Sequence, residues 1–167
     1  MIPTSNEKIL VLSTGGTIDK DYFDRITEYQ VGEPSVVNIL KEANLNAQFE
    51  FVEVLKKDSL DVNDDDRALM SQAILASNCK KVLITHGTDT LVDTAKYLQQ
   101  AVTQRAIVLT GAFKPAIFKS TDASINIGTA LGALSVLQEG VYIAISGRVF
   151  PADNVKKNYE KCQFENL

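Results

Sequence analysis

A single α/β domain, doubly wound around a mainly parallel five-stranded sheet, is the fold this sequence predicts, and three observations carry the prediction. Five apolar stretches of strand length, at residues 8–13, 49–55, 81–86, 105–110 and 140–146, alternate with four segments of helical period. Within the last three, "KVLITH", "AIVLT" and "VYIAIS" are β-branched and apolar throughout, as strands covered on both faces are. The 167 residues, 45% hydrophobic and 23% charged, suffice for one core and are too few for two ordinary ones. Residues 1–167 are therefore expected to form one domain.

The elements follow in order. Ile9, Leu10, Val11 and Leu12 make the first strand, which runs into Ser13, Thr14, Gly15, Gly16 and Thr17, a turn with free hydroxyls and backbone N–H groups. The polar stretch "DKDYFDRITEYQ" reads as a long irregular loop, and such a loop in a compact domain marks a lid. A helix is expected at 34–43. The second strand, "QFEFVEVL", alternates apolar and charged residues like an edge strand with one wet face. Before the helix expected at 65–78, "DVNDDD" has oxygen donors at the first, third and fifth places of a calcium loop. Asp66, however, stands where glycine is needed and Gln72 where the bidentate glutamate belongs, so the run reads as an acidic N-cap. The third strand ends in "HGTDT" and leads to a helix at 90–102; the fourth leads to a helix at 123–138, where "GTALG" gives small-residue spacing for close packing. The last stretch, "RVFPADNVKKNYEKCQFENL", is polar and reads as a tail or a lid.

A β-α-β order of this kind implies right-handed crossovers, and the common strand order 2-1-3-4-5 makes a flavodoxin-like, Rossmann-like sheet. Its winding reverses between the first and third strands, where ligands bind beyond the carboxyl ends. The loops "STGGTIDKD" and "HGTDTLVDT" meet at that place.

Composition excludes several classes. Net charge is -4 with lysine and arginine scattered, so nucleic acid is not expected as the main partner. No apolar run could span a bilayer, so no membrane association is expected, and the first 13 residues lack a signal-peptide pattern, which predicts a cytoplasmic protein. Cys79 and Cys162 are far apart and His86 is the single histidine, so neither a disulfide framework nor a His-pair metal site is suggested. There is no G-x-G-x-x-G fingerprint and no phosphate loop, and no metal or organic cofactor is expected.

"HGTDT" alone is explained by a helix cap at Asp89 or Thr90. Paired with "TGGTI" at an adjacent strand end it offers hydroxyls and free N–H groups, the parts of an acyl-transfer site. His86, at a strand end before a glycine, suits ordering the turn better than acting as a base. Lysine or tyrosine can activate a hydroxyl instead, and Lys157 and Tyr29 are available.

The two motifs together resemble the L-asparaginase family, whose signatures are a TGGTI turn near the N-terminus and an HGTDT turn after the third strand. "EYQVGE", "KDSLDVND", "LTGAFKP" and "STDASINIGTA" agree, and the likeness spans almost the whole chain, which is similar to the family's N-terminal domain without its C-terminal one. The resemblance implies hydrolysis of L-asparagine to L-aspartate and ammonia, with Thr17 as the first nucleophile supported by Tyr29. It implies a second constellation of Thr88, Asp89 and Lys157, in which Lys157 keeps Thr88 basic and Asp89 grips the α-ammonium. Ser59 would bind the α-carboxylate, and the Gly16 and Gly87 turns would supply oxyanion donors. Lys157 is assigned by matching "NVKKN" to a short D-V-x-K segment, with Lys156 as the alternative. Leu60 stands where relatives often carry glutamine, which predicts a preference for asparagine over glutamine. The alternatives are a glutaminase-asparaginase of mixed specificity, a subunit like that of a tRNA-dependent amidotransferase, or a catalytically silent amino-acid binder. Without a second domain to close the site, a homodimer or homotetramer is expected.

Overall fold

Alternate side chains of the central strands go to opposite faces, and this sorts the core into two layers. The computed structural model describes residues 7–167; the reading of the first 13 residues as lacking a signal peptide falls in part on 1–6, outside that range. Strand β1 (Lys8–Gly15) is followed by a hairpin of β2 (Lys20–Phe23) and β3 (Glu28–Val31), then helix α1 (Ser35–Glu42) and β4 (Gln48–Lys57). Helix α2 (Asp64–Ala76), β5 (Lys81–Thr85), α3 (Leu91–Ala101), β6 (Ala106–Thr110), α4 (Ala123–Val136) and β7 (Gly140–Ile145) complete the alternating part. After them come β8 (Arg148–Pro151), β9 (Lys156–Asn158) and β10 (Gln163–Glu165).

The main sheet has the order β4-β1-β5-β6-β7-β8, so the expected arrangement of five parallel strands is present. Leu10, Leu12, Val82, Ile84, Ile107, Leu109, Val141 and Ile143 point to one face, where Met70 and Ile74 of α2 and Leu91 and Leu98 of α3 cover them. Ile9, Val11, Leu83 and Val108 point to the other, under Val36 and Leu40 of α1 and Ile127, Ala130 and Leu134 of α4. Two helices on each face bury both sides of β5 and β6, which is why those strands carry no polar alternation.

The tail expectation is corrected. Residues Ser146 and Gly147 both have positive φ (55° and 73°) and form a two-residue hairpin turn that folds β8 back antiparallel on β7, making a sixth strand. Phe150, Ala152, Val155 and Phe164 are buried in the core, which fastens this segment to the domain. "DKDYFDRITEYQ" is likewise no irregular loop: Lys20 to Phe23 pair antiparallel with Val31 to Glu28.

The run before α2 is a capping box. Asn63 Oδ1 accepts from the Asp66 N–H, the Asp66 carboxylate accepts from the Asn63 N–H, and Asp66 also takes both contacts of the Lys57 ammonium at 2.8 and 2.9 Å.

Candidate active site

Three strand ends come level on one side of the sheet: Ser13 lies beside Thr85, and Thr85 beside Thr110. Thr14 Oγ1 donates to Thr85 O (2.8 Å), and the His86 N–H donates to Thr110 O (2.9 Å), stitching the ends together. The turns beyond them touch through their glycines. Gly16 has φ +85°, and a Cβ there would overlap the backbone of Gly87; a Cβ on Gly87 would overlap Ser59. Only glycine lets the three segments close to this distance. Thr17 and Thr88 are the residues that follow the two touching glycines, so both flank one contact. Thr17 is half-buried at the start of a 3-10 turn, and Thr88 is buried.

The Ser59 turn is set by Asp58, whose carboxylate accepts from the Leu60 N–H (3.2 Å) and pairs with Lys20 (2.9 Å); the Lys20 hydrogen bond holds it below the usual carboxylate range. Ser59 is buried. Its Oγ accepts from the Asp89 N–H (3.2 Å), and its carbonyl accepts from Thr90 Oγ1 (2.7 Å). Thr90 is the N-cap residue of α3 yet makes no side-chain cap bond, so "HGTDT" is not an ordinary helix start. Asp89 is not a cap either. Its Oδ1 receives the Lys157 ammonium at 2.6 Å, and the same ammonium donates to Thr88 Oγ1 at 2.9 Å.

Lys157 reaches this cluster from β9, where Phe164 of β10 stands opposite it. Neighbouring residues of a strand face opposite ways, and Lys156 accordingly points away, to Glu165 at 3.6 Å. Lys157 and not Lys156 therefore lies against Thr88. Tyr29 makes no hydrogen bond to Thr17 among the described residues: it is 50% exposed on the hairpin, its ring packed against Tyr22 and Phe118. Leu60 stands on the outer side of the Ser59 turn, 73% exposed.

His86 orders its turn, as expected. Arg67 Nε donates to Thr94 Oγ1 (3.1 Å), so the threonine proton goes to His86 Nε2 (2.9 Å), leaving Nδ1–H to donate to Gly87 O (2.7 Å). Burial pushes this imidazole down to about 4, and it is neutral at physiological pH.

Three residues that sequence reasoning missed contribute here. Asp122 accepts from the Phe113 and Lys114 N–H groups (3.0 Å each), and fixes the loop that puts the Phe113 ring beside Lys157. Asp19, two residues after Thr17, is buried and accepts from the Ser35 N–H (2.8 Å), tying the Thr17 turn to the start of α1, while its carbonyl accepts from Gly32 (2.7 Å). Burial pushes the Asp19 carboxyl up to about 7, with Glu53 adding to the rise and Ser35 and Lys56 opposing it. The folded chain thus holds this proton more tightly than the unfolded one. Its stabilising effect is complete below about pH 4 and is lost as pH rises through about 7. Asp19→Asn keeps the acceptor and removes the charge. Urea melts are expected to show wild type losing roughly 4 kcal/mol at most relative to the variant across that window, the opposing gain from neutral His86 being common to both.

Among the described residues no group of three or more His, Cys, Asp or Glu is gathered as a metal would need, and no helix is long and apolar enough to cross a membrane.

Residues 8–162 match the family described as Asparaginase, N-terminal. The chain is 32% identical over 160 residues to the Probable L-asparaginase periplasmic of Haemophilus influenzae, covering 89% of this chain and 46% of that protein. It is 27% identical over 164 residues to the Glutaminase-asparaginase of Acinetobacter glutaminasificans, covering 89% and 49%. In structure it is similar to the thermostable L-asparaginase from Thermococcus kodakarensis, with a TM-score of 0.83 and 25% identity, over 96% of this chain and 51% of that one. It spans about half the length of each.

Proposed function

The chain belongs to the asparaginase family, matching its N-terminal domain, and from that premise we propose that it hydrolyses L-asparagine to L-aspartate and ammonia through an acyl-enzyme on Thr17. The observation that carries this reading is the ammonium of Lys157 shared between Thr88 Oγ1 and Asp89 Oδ1, on a turn whose glycine touches the one before Thr17.

Thr17 Oγ attacks the side-chain amide carbon, and the carbonyl oxygen becomes an oxyanion received by backbone N–H groups of the Gly16 and Gly87 turns. The C–N bond breaks, the amide nitrogen takes up a proton and leaves as ammonia, and an ester on Thr17 remains. Water attacks the ester, its proton passing by way of the Thr88 hydroxyl, which the Lys157 ammonium holds in place, to the departing Thr17 oxygen, and aspartate and the Thr17 hydroxyl are released. Asp89 Oδ2 carries no hydrogen bond among the described residues and is the oxygen for the substrate α-ammonium. Ser59 Oγ accepts from Asp89, which leaves its own proton for the α-carboxylate. Tyr29 joins Thr17 by closure of the β2–β3 hairpin over the substrate. No cofactor is required by these steps.

In this reading the domain works in a cytoplasmic homodimer or homotetramer whose contacts hold that hairpin over the cleft. Ammonia release from purified protein is the test, with asparagine and glutamine compared. Asparagine is expected to be favoured by about 10- to 200-fold in kcat/KM, the worth of one methylene in a pocket. Equal values would leave Leu60 without a role and favour mixed specificity, the activity in the name of the Acinetobacter relative. No ammonia from either amide would leave an amino-acid binder. Sedimentation of the same sample at assay concentration is expected to show a closed oligomer, and a fully active monomer would remove that part.

A further inference from the structure

The Lys157 ammonium has three protons to place. Two go to Thr88 Oγ1 and Asp89 Oδ1. No third oxygen accepts among the described residues. What faces the ammonium instead is the ring of Tyr159, its centroid 4.5 Å from Nζ, with the Phe113 ring at 5.5 Å. An ammonium within about 6 Å of an aromatic face is drawn to the ring's negative quadrupole. The two rings come from separate parts of the chain. Phe113 is fixed by Asp122 and packs on Phe164, the residue opposite Lys157, at 6.0 Å. Tyr159 starts the turn between β9 and β10, where Asn158 Oδ1 accepts from the Lys161 N–H (3.0 Å) and holds the turn in shape. Tyr159 is 64% exposed while the Lys157 side chain beneath it is only 12% exposed, so the ring covers the amine on the solvent side. Its hydroxyl bonds nothing among the described residues; the ring makes the contact.

We propose that Tyr159 is a positioning residue, whose ring holds the Lys157 ammonium between Thr88 and Asp89 and shields it from bulk water. What the lysine does for the reaction rests on the amidohydrolase reading above; where the ring holds it does not.

Two variants test this, Tyr159→Leu and Tyr159→Phe, each assayed for ammonia release from asparagine. Each is also labelled with acetic anhydride, with acetylation of Lys157 read against exposed Lys161 by peptide mass spectrometry. Tyr159→Leu is expected to lower kcat about tenfold with KM changed less than about twofold, and Tyr159→Phe to stay within about twofold of wild type in both. Relative acetylation of Lys157 is expected to rise roughly tenfold in the leucine variant and to stay at the wild-type level in the phenylalanine one. In a Lys157→Met background, Tyr159→Leu should cost nothing further, because its effect runs through the lysine. Wild-type kcat and wild-type labelling in Tyr159→Leu would overturn the proposal. So would equal losses in the leucine and phenylalanine variants, or an undiminished loss in the Lys157→Met background. If the wild-type protein releases no ammonia, the functional reading fails separately, and the acetylation ratios alone decide whether the ring guards the amine.

Discussion

Thr17→Val is expected to lower kcat for ammonia release by roughly three to six orders of magnitude, the scale of losing a nucleophile that acts as part of a unit. Valine keeps the branched shape and removes the oxygen that would carry the acyl group. Thr17 is half-buried and its hydroxyl makes no hydrogen bond among the described residues. Thermal melting should therefore match wild type within a few degrees, which separates lost chemistry from lost structure. Thr88→Val removes the oxygen that accepts from Lys157 and should cost activity on a similar scale, leaving the Lys157–Asp89 pair in place. Near-normal turnover in Thr17→Val would show that another group attacks the amide.

Lys157→Met should be nearly as damaging at neutral pH, while Lys156→Met should leave kcat within about twofold of wild type. The contrast is set by geometry. Lys157 is the donor to both Thr88 and Asp89, whereas Lys156 meets Glu165 at 3.6 Å with half of its side chain in solvent, a pair of small consequence. Methionine matches the length of the lysine stem, and Asp89 retains access to water, so the variant should fold. The measurement is kcat for the two variants side by side, with circular dichroism as the control. The reverse order of effects would move the role to Lys156.

How much of this was legible in the sequence depended on whether a residue's task left a local mark. β5 and β6 could be read within a residue or two because burial on both faces demands an unbroken apolar run. The glycine turns were legible because a Cβ on Gly16 would meet Gly87 and a Cβ on Gly87 would meet Ser59. β2 and β3 were not: they are four residues each and mostly solvent-facing, so no alternation of burial marks them. β8 did leave a signal in the Ser146-Gly147 dipeptide, whose two positive φ angles make a tight hairpin, but the polar residues around it outweighed that signal. In the sequence a motif match alone favours Lys157 over Lys156, and the pairing of Phe164 with Lys157 supplies the physical reason, the face of β9 that looks inward. Phe113 meets Lys157 across a long stretch of chain, where no spacing in the sequence announces the contact, and Tyr159, only two residues from Lys157, and Asp122, nine from Phe113, carry no motif that marks their tasks.

The extra strand β8 also governs how one molecule can meet another. A parallel sheet ending at β7 would present a buried-type apolar strand with unpaired N–H and C=O groups, a template for intermolecular strand addition. Instead the outermost strand is four residues long, begins with Arg148 and ends at Pro151, which has no N–H to offer. At the opposite border β4 interleaves Glu50, Glu53 and Lys56 with its apolar residues, so a second chain docking there would have to bury charge. Both borders are thereby closed to fibril-like stacking. Copies of this domain must associate through surfaces other than these two borders, and concentrated solutions should resist cross-β aggregation at the main sheet for as long as β8 stays paired.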